Sequence, residues 1–195
     1  AGAFRFLRKL WRNVAEHVEA GVATGTINVK SDAQKALRRK THEIIAKVSD
    51  DVGRRYTFNT AIAGVMELLN SVTAFSVDST DDQRVRQEAL ETAVLLLSPI
   101  TPHIAHELWL ALGHDEAVLN QSWPKVDESA LTRDTIEFVV QVNGKLRARL
   151  TLAADASREA VEAAALADAN VQQFVEGKTV RKVIVVPNKL VNLVV

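Results

Sequence analysis

Cysteine is absent from this chain of 195 residues, which excludes disulfide bonds and thiolate metal sites and fits a reducing compartment. No run of about 18 apolar residues is present to span a bilayer, and lysine and arginine interrupt the apolar stretches near the N-terminus. An excess of one charge is also missing, because 24 basic residues balance 24 acidic ones. An overall positive charge for binding nucleic acid is therefore excluded, and any site for a polyanion must arise from local clusters of basic residues. We expect a soluble, cytoplasmic chain.

The first half of the chain has the period of amphipathic helices. Apolar residues make up 47% of the sequence, enough for a core, and here they recur at helical spacing in five segments. Glycine or proline marks three of the four boundaries between these segments. Ser31 followed by Gln34 predicts a capping box at the start of the second helix, and Thr80 followed by Gln83 predicts one for the fourth. Short connections between such helices predict an all-α bundle over residues 1–128.

The second part of the chain has a different period. After Asp134 the apolar pattern changes from a repeat of 3.6 residues to a repeat of two. We interpret residues 129–135 as a linker and 136–195 as a small α+β domain with the order strand, strand, helix, helix, strand, strand. Ser157 is the predicted cap of its first helix. The predicted fold class is therefore multi-domain, an all-α helical bundle followed by a ββααββ domain.

The first hairpin of this domain turns near Asn143-Gly144, and two registers are open. A two-residue loop would pair Val140 with Arg147 and mix apolar and charged side chains on one face. A loop one residue longer, or a glycine bulge, would instead keep the apolar residues together. We favour the bulged register. It predicts one face with Leu146, Ala148 and Leu150, and an opposite row of Lys145, Arg147 and Arg149.

Basic residues cluster in both predicted domains. The strands of the α+β domain are basic, whereas its helical part is acidic, so the strand cations are candidate phosphate contacts: Lys145, Arg147, Arg149, Lys178, Arg181, Lys182 and Lys189. One face of the second helix and its C-terminal end form the other cluster: Lys35, Arg38, Arg39, His42, Arg54 and Arg55. An ordinary solvated surface is the alternative in both places. Two separate basic patches on a neutral chain favour a single extended polyanion.

Signals of catalysis are few. His103 and His106 share a helical face near Glu107, but neither an HExxH pattern nor a distant third ligand supports a metal site. A glycine-rich phosphate loop, a nucleophile elbow and a Rossmann fingerprint are all missing from the sequence. We therefore predict no catalytic residue and no metal site, and interpret the chain as a binding module.

Five segments resemble a known family. LLLSPITPHIAHELW (95–109), GAFRFLRKLWR (2–12) and RRYTFNTAIAGVMELLN (54–70) resemble the anticodon-binding bundles of class I aminoacyl-tRNA synthetases for leucine, isoleucine, valine and methionine. VVQVNGKLRARL (139–150) and VRKVIVVPNKLVNLVV (180–195) are similar to the small terminal domain of bacterial leucyl-tRNA synthetases. The resemblance covers essentially the whole chain.

The resemblance implies the C-terminal fragment of a leucine–tRNA ligase, a parent enzyme that uses ATP and Mg. The HIGH-like and KMSKS-like motifs of the family's Rossmann-type catalytic domain are missing, and PHIAHELW is not a HIGH motif. This implies a fragment that is inactive alone and holds no cofactor of its own. Its implied partners are tRNA(Leu) and the catalytic and editing domains of the same enzyme, with no membrane and no DNA.

The resemblance also implies where RNA would lie. The bundle would follow the stem leading to the anticodon, and the terminal domain would reach the outer corner of tRNA through Lys145, Arg147 and Arg149. Recognition by shape suits the low aromatic content of 5%, although Gln141 and Asn143 could reach a base edge. The alternative is a protein-docking module, in which the apolar C-terminal strand and the alanine-rich helix contact the rest of the synthetase or another factor.

Overall fold

A computed structural model describes residues 2–132, 135–177, 180–187 and 189–195. Its contacts divide the chain into two compact units, residues 1–132 and 133–195. In the described part of the first unit, five α-helices follow one another: α1 (Gly2–Ala20), α2 (Asp32–Gly53), α3 (Phe58–Ala74), α4 (Thr80–Leu97) and α5 (Pro102–Ala111). Two short 3-10 helices follow, Val118–Asn120 and Glu128–Leu131. The described second unit contains β1 (Thr135–Val142), β2 (Lys145–Ala153), α6 (Arg158–Ala167), α7 (Ala169–Val175), β3 (Lys182–Val186) and β4 (Leu190–Val194). This confirms the predicted combination of a helical bundle and a ββααββ unit.

Polar side chains cap the starts of α2 and α4. The Ser31 side chain accepts a hydrogen bond from the Gln34 backbone, and the Gln34 side chain bonds back to the Ser31 backbone, as predicted for a capping box. The prediction for α4 was wrong by one residue, because Ser79 is its cap and accepts from the Asp82 backbone. A short side chain capping the third residue after it satisfies one of the unpaired donors at the helix start.

The bundle core is aliphatic. α2, α3 and α4 pack on one another, while α1 packs on α3, α4 and α5. The fully buried side chains include Leu10, Ile44, Leu68, Leu69, Leu90, Leu96, Leu97, Leu108 and Leu112. Burial of such side chains is the main stabilising contribution to the bundle.

The sheet of the second unit has the strand order β2-β1-β4-β3, with β1 and β4 parallel and the outer pairs antiparallel. Phe138, Val140, Val191 and Leu193 lie on one face, where they pack with α6 and α7. The other face is only partly buried: it holds Val139, Gln141, Leu190, Asn192, Ile184 and Val186. We call this second surface the open sheet face.

The β1–β2 hairpin combines both registers considered from the sequence. Its turn has two residues, Asn143 and Gly144, with φ angles of 49° and 77°, as expected for the turns that favour two-residue hairpins. A bulge then leaves Arg147 without a partner in β1, because Ala148 pairs with Val140 and Leu146 with Gln141. One extra residue reverses the alternation between the bulge and the turn. The prediction that Leu146 faces the core was therefore wrong: Leu146 is 51% exposed.

Candidate functional site

The basic face predicted on α2 is turned into the protein. His42 is buried, and the Arg38 side chain is only 20% exposed. Arg38 donates from Nε to the Glu88 carboxylate at 3.1 Å and from a terminal nitrogen to Oδ2 of Asp127 at 2.7 Å. Burial alone would lower the pKa of Arg38, but the charge of Glu88 and the hydrogen bond to Asp127 outweigh it and raise that pKa. Its guanidinium is thus used within the bundle.

His42 joins the same network. Its Nδ1 accepts a hydrogen bond from the backbone N–H of Asp127 at 3.1 Å, and its Nε2 lies 3.3 Å from Glu88. Hydrogen bonds from Ser129 and then from Arg38 lower the pKa of Asp127 to about 2. The carboxylate is therefore ionised at neutral pH and stays available to Arg38.

The rest of the α2 face holds the end of the first unit. Arg39 Nε donates to the backbone oxygen of Thr132 at 3.3 Å, and Trp123 Nε1 donates to Ser49 Oγ at 2.8 Å. The 3-10 helix Glu128–Leu131 also contacts α2. Residues 129–132, predicted as part of a linker, therefore pack on the bundle. Lys35 is half-buried on the same helix.

Arg54 and Arg55, at the C-terminal end of α2, are exposed but carry carboxylate partners. Arg54 lies 2.5 Å from Asp50, and this contact lowers the pKa of Asp50 and raises that of Arg54. Arg55 lies 3.6 Å from Asp51. Local acids thus offset the charge that the sequence places at this end of the helix.

The predicted row on β2 is broken by the bulge. Arg147 reaches the helix side of the sheet, where its Cζ lies 3.7 Å from the centre of the Phe174 ring on α7. Its Nε is buried without a hydrogen-bond partner among the described residues. Arg149 stays on the opposite face, 61% exposed, and pairs with Glu137 at 2.7 Å. The three cations therefore do not form one row.

The remaining strand cations lie at the surface. Lys145, Arg181, Lys182 and Lys189 are all exposed, and Lys182 starts the β3 series that continues with Ile184 and Val186 on the open sheet face. Lys178 lies outside the described residues. The open sheet face thus combines exposed aliphatic side chains with the cations Arg149 and Lys182.

Two polar residues considered for base contacts differ in their surroundings. The Asn143 side chain accepts from the Val195 backbone N–H at 3.2 Å and donates to its oxygen at 3.5 Å. Asn143 thereby holds the C-terminal residue. Gln141 lies on the open sheet face opposite Asn192.

A third basic surface was missed from the sequence. α1 exposes Arg5, Arg8, Trp11 and Arg12 on one side, around a hollow of about 610 Å³ that Lys9 and Thr73 also line. We call this the α1 surface. The signal was present: residues 2–15 contain four cations and no acidic residue.

Metal-binding geometry is not found in the described part of the chain. No group of three histidine, aspartate or glutamate residues there is placed to hold a metal ion. No described helix has both the length and the apolar character needed to cross a membrane. What the described surface offers is separated clusters of cations.

Comparisons with known proteins place these features in a family. Residues 34–163 match the family model described as the anticodon-binding domain of tRNA ligase. The chain is 65% identical over 99% of its length to a leucine–tRNA ligase of Alcanivorax borkumensis and 59% identical over its whole length to one of Nitrosococcus oceani. It covers 24% of each of these relatives.

A solved structure is also similar. It is the ternary complex of LeuRS (agnB2) with tRNA and LeuAMS from Agrobacterium radiobacter K84, which matches 97% of this chain with a TM-score of 0.82 and 26% identity. The chain spans 25% of that protein, as it spans about a quarter of the curated relatives. With the family model matching about two thirds of its residues, the chain belongs to the anticodon-binding domain family of tRNA ligases.

Proposed function

We propose that this chain is the tRNA-binding portion of a leucine–tRNA ligase. In this role it positions tRNA(Leu) through backbone and shape contacts for ATP-dependent leucylation by a catalytic domain outside the chain. Positioning matters chemically because a reacting group held in place reacts as if at a very high local concentration. ATP and Mg would be held by that catalytic domain, so the residues described here perform no chemical step.

The similarity to LeuRS in a complex with tRNA, across 97% of the chain, carries this proposal. The leucine–tRNA ligases of two further bacteria support leucine as the amino acid. The catalytic and editing domains of the same enzyme are the corresponding protein partners, since the chain spans only a quarter of its relatives.

The open sheet face supplies the most suitable contacts in the second unit. Arg149 and Lys182 are exposed there, and Lys145, Arg181 and Lys189 are exposed elsewhere in this unit. Cations of this kind contact phosphate oxygens without reading the base sequence. Exposed Leu146, Ile184 and Val186 add an apolar area that suits ribose and base surfaces.

The competing proposal, a protein-docking module, is weakened because the two elements on which it rested, β4 and α6, already pack within the second unit. The apolar C-terminal strand β4 lies between β1 and β3, so both of its edges are already paired. On α6, Val161 and Ala165 are buried against the sheet. A protein that docked on the open sheet face instead would compete with tRNA.

Titration with tRNA(Leu) at several salt concentrations tests the proposal. The Lys182→Ala variant should lower the log–log salt slope by about 0.7 to 0.9 if one phosphate contact is lost. Arg158→Ala is the control, because Arg158 is also an exposed cation of the second unit but lies at the start of α6 and pairs with Glu162. No tRNA binding by the wild-type chain, even at low salt, would refute the proposal.

A second expectation follows from the proposal that the catalytic domain lies outside the chain. The chain alone should show no leucine-dependent pyrophosphate exchange above a blank without enzyme. Exchange clearly above that blank would mean that activation chemistry resides in these residues.

A further inference from the structure

The α1 surface carries positive charge that the bundle does not neutralise. Arg5 and Arg8 have no carboxylate within ion-pairing distance among the described residues, and Arg8 instead lies 5.7 Å from the centre of the Phe4 ring. Arg12 has one weak partner, Glu16 at 3.7 Å, with both side chains more than half exposed. Screening by water makes such an exposed pair weak. A strong local positive field therefore remains on this side of α1.

Other exposed arginines of the bundle behave differently. Arg54 and Arg55 lie 2.5 and 3.6 Å from the carboxylates of Asp50 and Asp51. Since those acids offset their charge, the end of α2 attracts an anion less than α1 does. The two surfaces therefore differ in how many acidic partners their cations have.

Aromatic exposure coincides with this charge. Trp11 is 51% exposed and Phe4 66% exposed, although tryptophan is usually well buried in a folded domain. Trp11 lines the hollow together with Arg8 and Arg12, and Lys9 at its edge is held by a 2.6 Å hydrogen bond to Asn70 of α3. Aromatic rings beside cations are the usual platform for unstacked bases.

The spacing of the cations suits a phosphodiester strand. Arg5, Arg8 and Arg12 follow one another along one side of α1, and seven residues of α-helix span about 10 Å. Three cations spread over this length can each reach a different phosphate of one strand. A protein partner would instead need a matching cluster of acids.

We propose that the α1 surface is the RNA contact of the bundle: Arg5, Arg8 and Arg12 bind successive phosphates, and Trp11 stacks on an unpaired base. This inference rests on the proposed function for the identity of the RNA as tRNA. It replaces the α2 face, whose arginine and histidine are used internally, as the contact of the first unit. The open sheet face remains the separate contact of the second unit.

The test compares two double variants of the full chain. Arg5→Ala/Arg8→Ala should lower the log–log salt slope for tRNA(Leu) by about 1.4 to 1.8 and weaken binding about tenfold or more at 0.1 M salt. Arg54→Ala/Arg55→Ala removes the same charge from the same unit and should change the slope much less. Arg5→Lys/Arg8→Lys keeps the charge and should restore most of the slope, which separates loss of charge from loss of fold.

Trp11 gives an independent readout. Trp11→Ala should weaken binding about tenfold, as loss of one stacked base does, whereas Trp11→Phe should retain most of the affinity. Quenching of tryptophan fluorescence by RNA should be smaller in Trp11→Phe than in the wild type, because Trp11 is more exposed than Trp109 and Trp123.

A uridine oligonucleotide as a second probe separates the two proposals. If the wild type binds the oligonucleotide through Arg5 and Arg8 but fails to bind tRNA(Leu), the proposed function fails and the α1 contact stands. If the wild type binds tRNA(Leu) and the folded Arg5→Ala/Arg8→Ala variant keeps the wild-type salt slope, the α1 contact is overturned, and this surface docks a protein. An unchanged oligonucleotide affinity in that variant overturns it as well.

Discussion

The basic face of α2 and the basic strand β2 have similar sequence patterns, but their cations lie in different environments. On α2, Arg38 and His42 are drawn into a network with Glu88 and Asp127, residues 50 and 89 positions from Arg38 in the sequence. On β2, Arg149 remains at the surface with a neighbouring acid on β1. The comparison shows that a row of cations predicts a surface only when no distant acid folds onto it. Charge periodicity along one helix contains no information about that acid.

The largest effect is expected from a substitution that breaks the α2 network. Arg38→Ala removes hydrogen bonds to two carboxylates, and should lower the free energy of unfolding of the bundle by about 2 kcal/mol. Urea unfolding followed by tryptophan fluorescence measures it, since all three tryptophans lie in residues 1–132. Arg55→Ala, at an exposed site, is the control and should leave the midpoint nearly unchanged. Unchanged stability with weaker tRNA binding in Arg38→Ala would return α2 to the list of RNA contacts.

A smaller effect separates the two arginines of β2. Arg147→Ala should destabilise the second unit by about 1 kcal/mol, because it removes the guanidinium packed on the Phe174 ring. Arg149→Ala should hardly change stability, since its pair with Glu137 is exposed. Thermal unfolding followed by circular dichroism, together with hydrogen exchange of the β1–β2 amides, measures both. Equal stability of the two variants would mean that the bulge does not place Arg147 against α7.

The smallest expected effect is a pH dependence confined to the bundle. Burial lowers the pKa of His17, the hydrogen bond that His17 Nε2 donates to Gln87 Oε1 opposes this, and the charge of Arg86 adds to the lowering. Below the unfolded value of 6.5 the unfolded chain binds a proton that the buried ring resists, so stability is lost as pH falls from there toward the folded pKa. The second unit contains no histidine.

Unfolding at about pH 7.5 and at about pH 5.5, roughly one unit above and below the ordinary histidine pKa, measures this difference between the units. The tryptophan-detected midpoint should decrease at the lower pH, and the hydrogen-exchange stability of β1 and β4 should not. The histidine variant His17→Asn should reduce the change. A decrease of equal size in both units would contradict an origin in buried histidine.

Local patterns predicted most of the fold. The capping box at Ser31, the cap at Ser157 and the change of period near residue 134 are each written in a few neighbouring residues, and the structure contains the corresponding elements. The cap of α4 was misplaced because Ser79 and Thr80 are both suitable caps and differ by one residue. Such local choices depend on the backbone angles actually adopted.

Candidate contacts were harder to predict than elements. The exposed cations Lys182 and Lys189 were found from charge alone, and the resemblance to tRNA ligases came from short motifs that the family model confirms. The α1 surface was overlooked because its cations are interspersed with buried apolar residues and resemble an ordinary amphipathic helix. Their lack of acidic partners is visible only when all neighbours are known.

The sequence by itself determined the helices, the strands, their order and the family, because periodicity, caps and motifs act over a few residues at a time. Tertiary structure alone decided which cations remain at the surface. Arg38 meets Asp127 only when the chain after α5 returns to α2, and Arg147 meets Phe174 only when α7 packs on the sheet. The Arg147 bulge adds one residue to β2 and so reverses the direction of the side chains beside it. Long-range pairing and a one-residue shift in register are physical properties of the assembled fold, and they separate the charges used inside the protein from those left at its surface.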